Sequence, residues 1–218
     1  HIKKGPVVFF GNEFFDAIPI KQFYRQKNIL LEKYYSLNKK NKINEIYKKA
    51  SKKNILQIKK FRTLDNLKFI EFPKLGLDEL KKMIKKISKL EGGLMLIDYG
   101  YLISQNQNTL QSLLKHKKNN LLDNLGKADI TSLVNFNLLN EYFLMNNLKV
   151  KKIVSQKFFL EKMGIIERAN YLSQNMKFKE QSNLYYRLKR LLDVKLMGNL
   201  FKVIFTYKCK KENFLGFE

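Results

Sequence analysis

Residues Pro6 to Ile20, PVVFFGNEFFDAIPI, decide how the rest of the chain is read. Val7, Val8, Phe9 and Phe10 form an apolar run that stops at Gly11, and Asn12, Glu13 and Asp16 follow at once. Parallel strands covered on both faces read as such runs, and open α/β sheets bind ligands beyond the carboxyl ends of their strands. The pattern predicts a buried parallel strand with carboxylates placed where chemistry is done. A plainer reading stays open, in which Asn12 to Asp16 cap a turn or a short helix through local hydrogen bonds.

A second apolar strand is expected at Leu94–Ile97, ending in Asp98-Tyr99-Gly100-Tyr101. Ahead of it, Leu77, Leu80, Ile84, Ile87 and Leu90 recur at three- and four-residue steps with lysines between them, the spacing of an amphipathic helix. The helix is stopped by Glu91-Gly92-Gly93 and preceded by a short strand, Leu67–Phe72, so strand, helix and strand predict a βαβ-type unit. Upstream, Ile20–Arg25 and Ile29–Tyr35 are β-rich and spaced for a hairpin. The Lys- and Asn-rich stretch Asn38–Lys60 reads as an exposed helix or loop insertion. Downstream, Thr109–His116 is expected to be helical, as are Asn135–Met145 and Ile165–Leu192 with a break near Lys177. Short strands are expected at Val150–Val154 and Leu200–Tyr207.

Composition narrows the function classes. The 218 residues suffice for one sizeable α/β domain, and 44% apolar content with 17 Phe and 11 Tyr excludes wholesale disorder. A first residue other than Met, with a central-type strand close behind it, predicts the C-terminal part of a longer protein. Lys and Arg number 43 against 19 Asp and Glu, a net charge of +24 that suggests a polyanionic partner. Only five are Arg (Arg25, Arg62, Arg168, Arg187 and Arg190), and specific phosphate and base recognition leans on the planar Arg fork. The charge therefore reads as background and nucleic acid is not the expected partner. If any segment touches RNA it is Asn38–Lys60, although aromatic residues for base stacking are sparse there. One cysteine, Cys209, and two histidines cannot build a Cys/His metal cage or an internal disulfide, and no metal is expected. No apolar run reaches the roughly 20 residues of a membrane helix, so no membrane span is expected.

Glu13, Asp16 and Asp98 thus stand at the ends of two strands able to neighbour one another in a sheet. Three acids in so basic a chain suit a cation, either a metal or the guanidinium of an arginine, which carboxylates hold by paired charge-assisted hydrogen bonds. Several segments also carry a family resemblance. Asn12–Phe23, NEFFDAIPIKQF, resembles the NEFFDALPxxxF signature of the MidA family. Glu91–Gly100, EGGLMLIDYG, is similar to its GGxxLxxDYG. Thr109–His116, Gly126–Thr131 (GKADIT), Gln156–Ile165 and Met197–Val203 (MGNLFKV) resemble its remaining motifs, in family order.

The resemblance implies an S-adenosylmethionine-dependent protein arginine methyltransferase that assists assembly of respiratory complex I. The implied fold is α/β: residues 1–218 are the C-terminal portion of one Rossmann-like class I methyltransferase domain, with an inserted β-hairpin and helices over 18–66. The implied cofactor is S-adenosylmethionine, and the implied partner is a protein substrate, a subunit of complex I. Glu13 and Asp16 are the implied catalytic pair and Asn12 the cofactor contact, while Asp98, Tyr99, His116, Asp129 and Thr131 line the substrate side. The family's glycine-rich cofactor loop and its ribose-binding acid are not in these residues, so the cofactor-binding half is expected to be absent. Asn135 stands where the family has Asp. A non-catalytic assembly module is the alternative reading, and a basic RNA-binding protein is a further one; a homodimer stays open. The expected location is the cytoplasm for a bacterial protein and the mitochondrial matrix for a eukaryotic one.

Overall fold

The computed structural model describes residues 3–40, 42–115, 117–210 and 213–218. In chain order, β1 (Val7–Asn12) leads to β2 (Lys21–Gln26), β3 (Ile29–Leu37), β4 (Ile43–Lys49), α1 (Lys52–Ile58) and β5 (Phe69–Phe72). There follow α2 (Lys74–Leu90), β6 (Gly92–Tyr101), β7 (Gln111–Leu114), β8 (Lys117–Asn119), β9 (Asp129–Thr131), β10 (Val134–Asn135) and α3 (Phe136–Met145). The remainder is β11 (Lys149–Val150), β12 (Val154–Ser155), α4 (Gln156–Lys162), α5 (Ile165–Ser173), α6 (Phe178–Leu192), α7 (Met197–Leu200) and β13 (Phe201–Lys208).

The main sheet runs β1-β6-β13-β11, with β10 extending β6 and β12 pairing with β13. β1 and β6 are parallel neighbours, Val7 opposite Gly92 through Asn12 opposite Ile97, so the two acid-tipped strand ends lie side by side as expected. β13 returns antiparallel along β6. Side chains alternate across this sheet. Val7, Leu94, Leu96 and Ile204 pack beneath α2, through Leu80, Ile84 and Ile87, and beneath α3, through Phe136, Leu139 and Phe143. Ile97, Val203, Phe205 and Tyr207 form a second apolar layer with Phe159 of α4 and the C-terminal Phe217.

That second layer stops short of β1. Val8 is 70% and Phe10 66% exposed, and among the described residues β1 is hydrogen-bonded on one edge only, to β6. The strand predicted to be buried on both faces is therefore covered on one.

β2 and β3 pair as the expected hairpin, but its sheet is wider than expected, in the order β4-β3-β2-β5. Part of the supposed helix or loop at Asn38–Lys60 is strand β4, followed by α1, whose first turn is capped by the Ser51 hydroxyl accepting from the Asn54 N–H. β5 belongs to this second sheet, so the parallel unit around α2 is closed by β1, with the second sheet inserted between. Phe23, Leu30, Ile70 and Phe72 bury the inner face of the insertion against the main core. Thr109–His116 is not helical: Gln111–Leu114 is the central strand of a small sheet, β8-β7-β9, and His116 lies outside the described residues. Asp129–Thr131 is the edge strand β9 of that sheet and caps no helix; α3 is capped instead by the Asn135 side chain, which accepts from the Leu138 N–H.

Gly100 marks a close backbone approach near the carboxyl end of β6. A Cβ there would sit 2.0 Å from the Val134 carbonyl oxygen and 2.9 Å from the Phe136 ring. Gly100→Ala is expected to force β10 off β6 and to lower stability by about 3 kcal/mol in urea unfolding.

Candidate active site

Asp98 joins the two strand ends. It is 1% exposed. The backbone N–H groups of Phe15 and Asp16 donate to its Oδ2 at 2.9 and 3.2 Å, and the N–H of Tyr99 donates to its Oδ1 at 2.9 Å. The turn after β1 is thereby hung on the end of β6. Glu13 starts that turn: its N–H extends the ladder to the Ile97 carbonyl at 3.0 Å, and its φ of 47° lies in the left-handed region. A non-glycine residue held there costs on the order of 1 kcal/mol, strain of the kind that collects at functional sites.

Asp16 is 6% exposed. Its Oδ2 accepts the Tyr99 hydroxyl, and its backbone carbonyl accepts the Ser132 N–H at 3.1 Å. Its Oδ1 is buried and has no hydrogen-bond partner among the described residues. Buried carboxylate oxygens are nearly always paired, since leaving one bare costs desolvation with nothing in return. Thr131 stands beside the cluster: it acts on the Tyr99 hydroxyl, favouring its ionised form, and its Oγ1 accepts from Gln111 Nε2 at 3.3 Å. Burial, reinforced by the bond to Asp16, holds the Tyr99 hydroxyl well above the usual tyrosine range, and Thr131 opposes it.

Burial and then the neighbouring Asp16 charge push Asp98 up to about 7, outweighing the three backbone N–H bonds that favour its ionised form. In the unfolded chain an aspartate titrates near 4. Between about pH 4 and pH 7 the folded protein therefore binds more protons than the unfolded one, and stability falls as pH rises through that window. The full penalty, reached above pH 7, is at most roughly 4 kcal/mol. Melting temperature is expected to drop from pH 5 to pH 8, and Asp98→Asn is expected to flatten that profile.

The geometry thus brings Asp16, Asp98 and Tyr99 into one bonded cluster, with Thr131 beside it. Asn12 and Glu13 are exposed beside it at the end of β1, and the Glu13 carboxylate is bonded to none of the described residues. Asp129 is exposed on β9, two residues from Thr131 and so on the same side of that strand, with no hydrogen bond to the cluster. Thr109, from one of the quoted motifs, is a brace: its hydroxyl donates to Glu71, its N–H donates to the same carboxylate, and its oxygen accepts the Leu133 N–H. Asn135 is spent on the α3 cap and on Ser104.

Two neighbours were not singled out by sequence. Ser132 anchors Asp16 through its backbone, which residue type cannot reveal. Lys202 lies opposite Asp98 in the β6–β13 register, half-buried, its pKa lowered by that burial and its Nζ donating to the Asn199 carbonyl. The MGNLFKV motif contained it, but one lysine among so many carries no signal of its own.

Residues 1–154 match the model of a family described as "Putative S-adenosyl-L-methionine-dependent methyltransferase". The chain belongs to this family. That places it in the MidA family whose motifs the sequence carries. The protein arginine methyltransferase NDUFAF7 homolog, mitochondrial, of Caenorhabditis elegans is 28% identical over 183 residues, covering 83% of this chain and 42% of its own. The protein arginine methyltransferase NDUFAF7, mitochondrial, of Danio rerio is 22% identical over 201 residues, covering 92% and 47%. This MidA-family chain thus spans less than half the length of either relative. Its fold is that of a Burkholderia thailandensis protein crystallised with S-adenosyl-homocysteine, at a TM-score of 0.78 and 19% identity, covering 99% of this chain and 56% of that one. Among the described residues no helix is long and apolar enough to cross a membrane.

Proposed function

We propose that this chain is the acceptor-side portion of an S-adenosylmethionine-dependent protein arginine methyltransferase acting on a subunit of respiratory complex I in support of its assembly. The observation that carries the reading is the Oδ1 of Asp16, buried and unpartnered among the described residues. A buried carboxylate oxygen lacking a donor, joined to a hydroxyl that holds its other oxygen, is matched by the N–H edge of a guanidinium. Asp16 is itself 6% exposed, between buried Phe15 and exposed Ala17, so an arginine side chain would reach this oxygen from the Ala17 side by a local opening of the turn. The relatives' names as arginine methyltransferases agree with that chemistry, and their mitochondrial designation would put the reaction in mitochondria for a eukaryotic protein.

The residues present fit one side of the cofactor. Asn12, exposed at the carboxyl end of β1, would contact it, while the open edge of β1 with bare Val8 and Phe10 suits further strands preceding it. We assign the grip on the cofactor's ribose and carboxylate to that preceding chain. When bound, the cofactor would supply a methyl group on a sulfonium: its S–C bond would break as an N–C bond formed, leaving a neutral thioether, and the proton lost from the guanidinium nitrogen would pass to solvent water.

The chain's own residues would do the rest by positioning and charge. Arginine's pKa above about 12 makes direct deprotonation by a carboxylate steeply uphill. Asp16, held by Tyr99, and Glu13 would instead pin two guanidinium nitrogens, draw the positive charge toward them and leave the third more nucleophilic. Asp98 fixes the turn that carries both. The many surface lysines do not prevent approach of a cationic substrate, since charges beyond roughly 8 Å are screened at physiological salt.

The test is to incubate the chain, extended through its upstream half, with S-adenosylmethionine and complex I subunits and to map products by mass spectrometry. Methylarginine on one subunit is the expected result. Tight subunit binding without methyl transfer would favour a non-catalytic assembly module.

A further inference from the structure

We propose that the outer face of the inserted sheet binds a single-stranded polynucleotide, independently of the methyl-transfer site. Residues 21–68 hold fifteen Lys or Arg against three acids, a net +12 that is half of the whole-chain charge of +24. Two of those acids are neutralised locally: Glu32 is buried against Lys21 and Asn54, and Glu45 pairs with Lys33. The segment's surface is therefore almost purely cationic.

The rings that Asn38–Lys60 lacks as a linear stretch are supplied by strand pairing. Tyr24 lies opposite Leu31, Leu31 opposite Lys49, Lys33 opposite Tyr47 and Tyr35 opposite Glu45. Partners across an antiparallel ladder share a face, as do alternate residues along a strand, so Tyr24, Tyr35, Tyr47, Lys33 and Lys49 all project on the same side. This is the side away from buried Phe23, Leu30 and Ile70. Tyr24 is 42% and Tyr47 47% exposed, and their rings meet edge to face at 6.5 Å over a groove of about 420 Å³ that Gln26 and Leu31 complete. Lys27 and Lys49 are exposed beside it without a carboxylate partner among the described residues.

Half-exposed aromatic rings on an open sheet, flanked by the exposed Lys27 and Lys49, are the elements with which proteins stack unpaired bases and track a phosphate backbone. A duplex keeps its bases stacked and cannot use the rings. An acidic peptide or an anionic bilayer would use the lysines but would not need tyrosine faces.

Binding of a fluorescein-labelled uridylate dodecamer to the full chain, followed by anisotropy across a salt series, tests this. The expected result is binding that weakens steeply with salt. Tyr24→Ala with Tyr47→Ala should lower affinity about tenfold or more at an unchanged salt slope, Tyr24→Phe with Tyr47→Phe should restore it, and Lys27→Gln with Lys49→Gln should reduce the slope. Circular dichroism checks that each variant is folded. Three results would each overturn the proposal: no binding, equal affinity in the alanine and parent proteins, or equal or tighter binding of an RNA duplex, polyglutamate or phosphatidylserine vesicles.

Discussion

Asp98→Ala is expected to lower the unfolding free energy by about 3 kcal/mol at pH 6 and to abolish any methyl transfer by the complete enzyme. One buried carboxylate satisfies the N–H groups of Phe15, Asp16 and Tyr99. Truncating it leaves three donors without partners, each worth about 1–3 kcal/mol when fully buried, offset in part by water entering the space. The loss should be smaller at pH 8, because the parent protein then carries the cost of an ionised Asp98 beside Asp16. Asp98→Asn keeps an acceptor for Phe15 and Asp16 but turns an amide donor toward the Tyr99 N–H, so it should fall between parent and alanine variant. Urea unfolding at the two pH values reads all of this directly. Equal losses at pH 6 and pH 8 would mean that Asp98 does not titrate in this range.

The second large effect is expected at Glu13. In the complete enzyme Glu13→Gln should reduce methyl transfer by about 10²- to 10⁴-fold, the range for removing a group that organises charge in the transition state, while cofactor affinity changes little. Glu13 is exposed and its carboxylate bonds to none of the described residues, so the substitution should leave the fold intact. Its backbone is already held at positive φ by the ladder bond to Ile97, which places the side chain at the strand end whatever its charge. Parallel losses of transfer and of cofactor binding would assign Glu13 to the cofactor instead of to the acceptor nitrogen.

Much of this fold was legible because its signals are local. The apolar runs at Val7–Phe10 and Leu94–Ile97 and the spacing of Leu77, Leu80, Ile84 and Ile87 each report burial within one element. Motif order along the chain supplied the family. What stayed hidden depends on pairing between distant segments. β4 has no buried residue, so it shows no apolar–polar alternation, and its lysines and asparagines masked a strand. β7 is four residues long and only partly buried, too short to separate from a helical turn by pattern. β5 reads as a strand, but nothing in Phe69–Phe72 says which sheet it joins.

The site was legible to the same depth. Its acids were visible as strand-end residues, while their bonds were not: Asp16 meets Tyr99 across 83 positions, and Thr131 arrives on a third element. Nor does sequence distinguish an acid that holds a backbone, as Asp98 does, from one left with an open oxygen, as Asp16 is.

That open oxygen is the central claim, and Asp16→Asn tests it most directly. The measurement is the turnover number for an arginine-bearing substrate set beside the dissociation constant for S-adenosyl-homocysteine, both in the complete enzyme with its fold checked by melting temperature. Turnover lowered by 10²-fold or more at an unchanged dissociation constant is the expected result. Unchanged turnover, or a loss wholly accounted for by weaker cofactor binding, would contradict the assignment of Asp16 to the acceptor guanidinium.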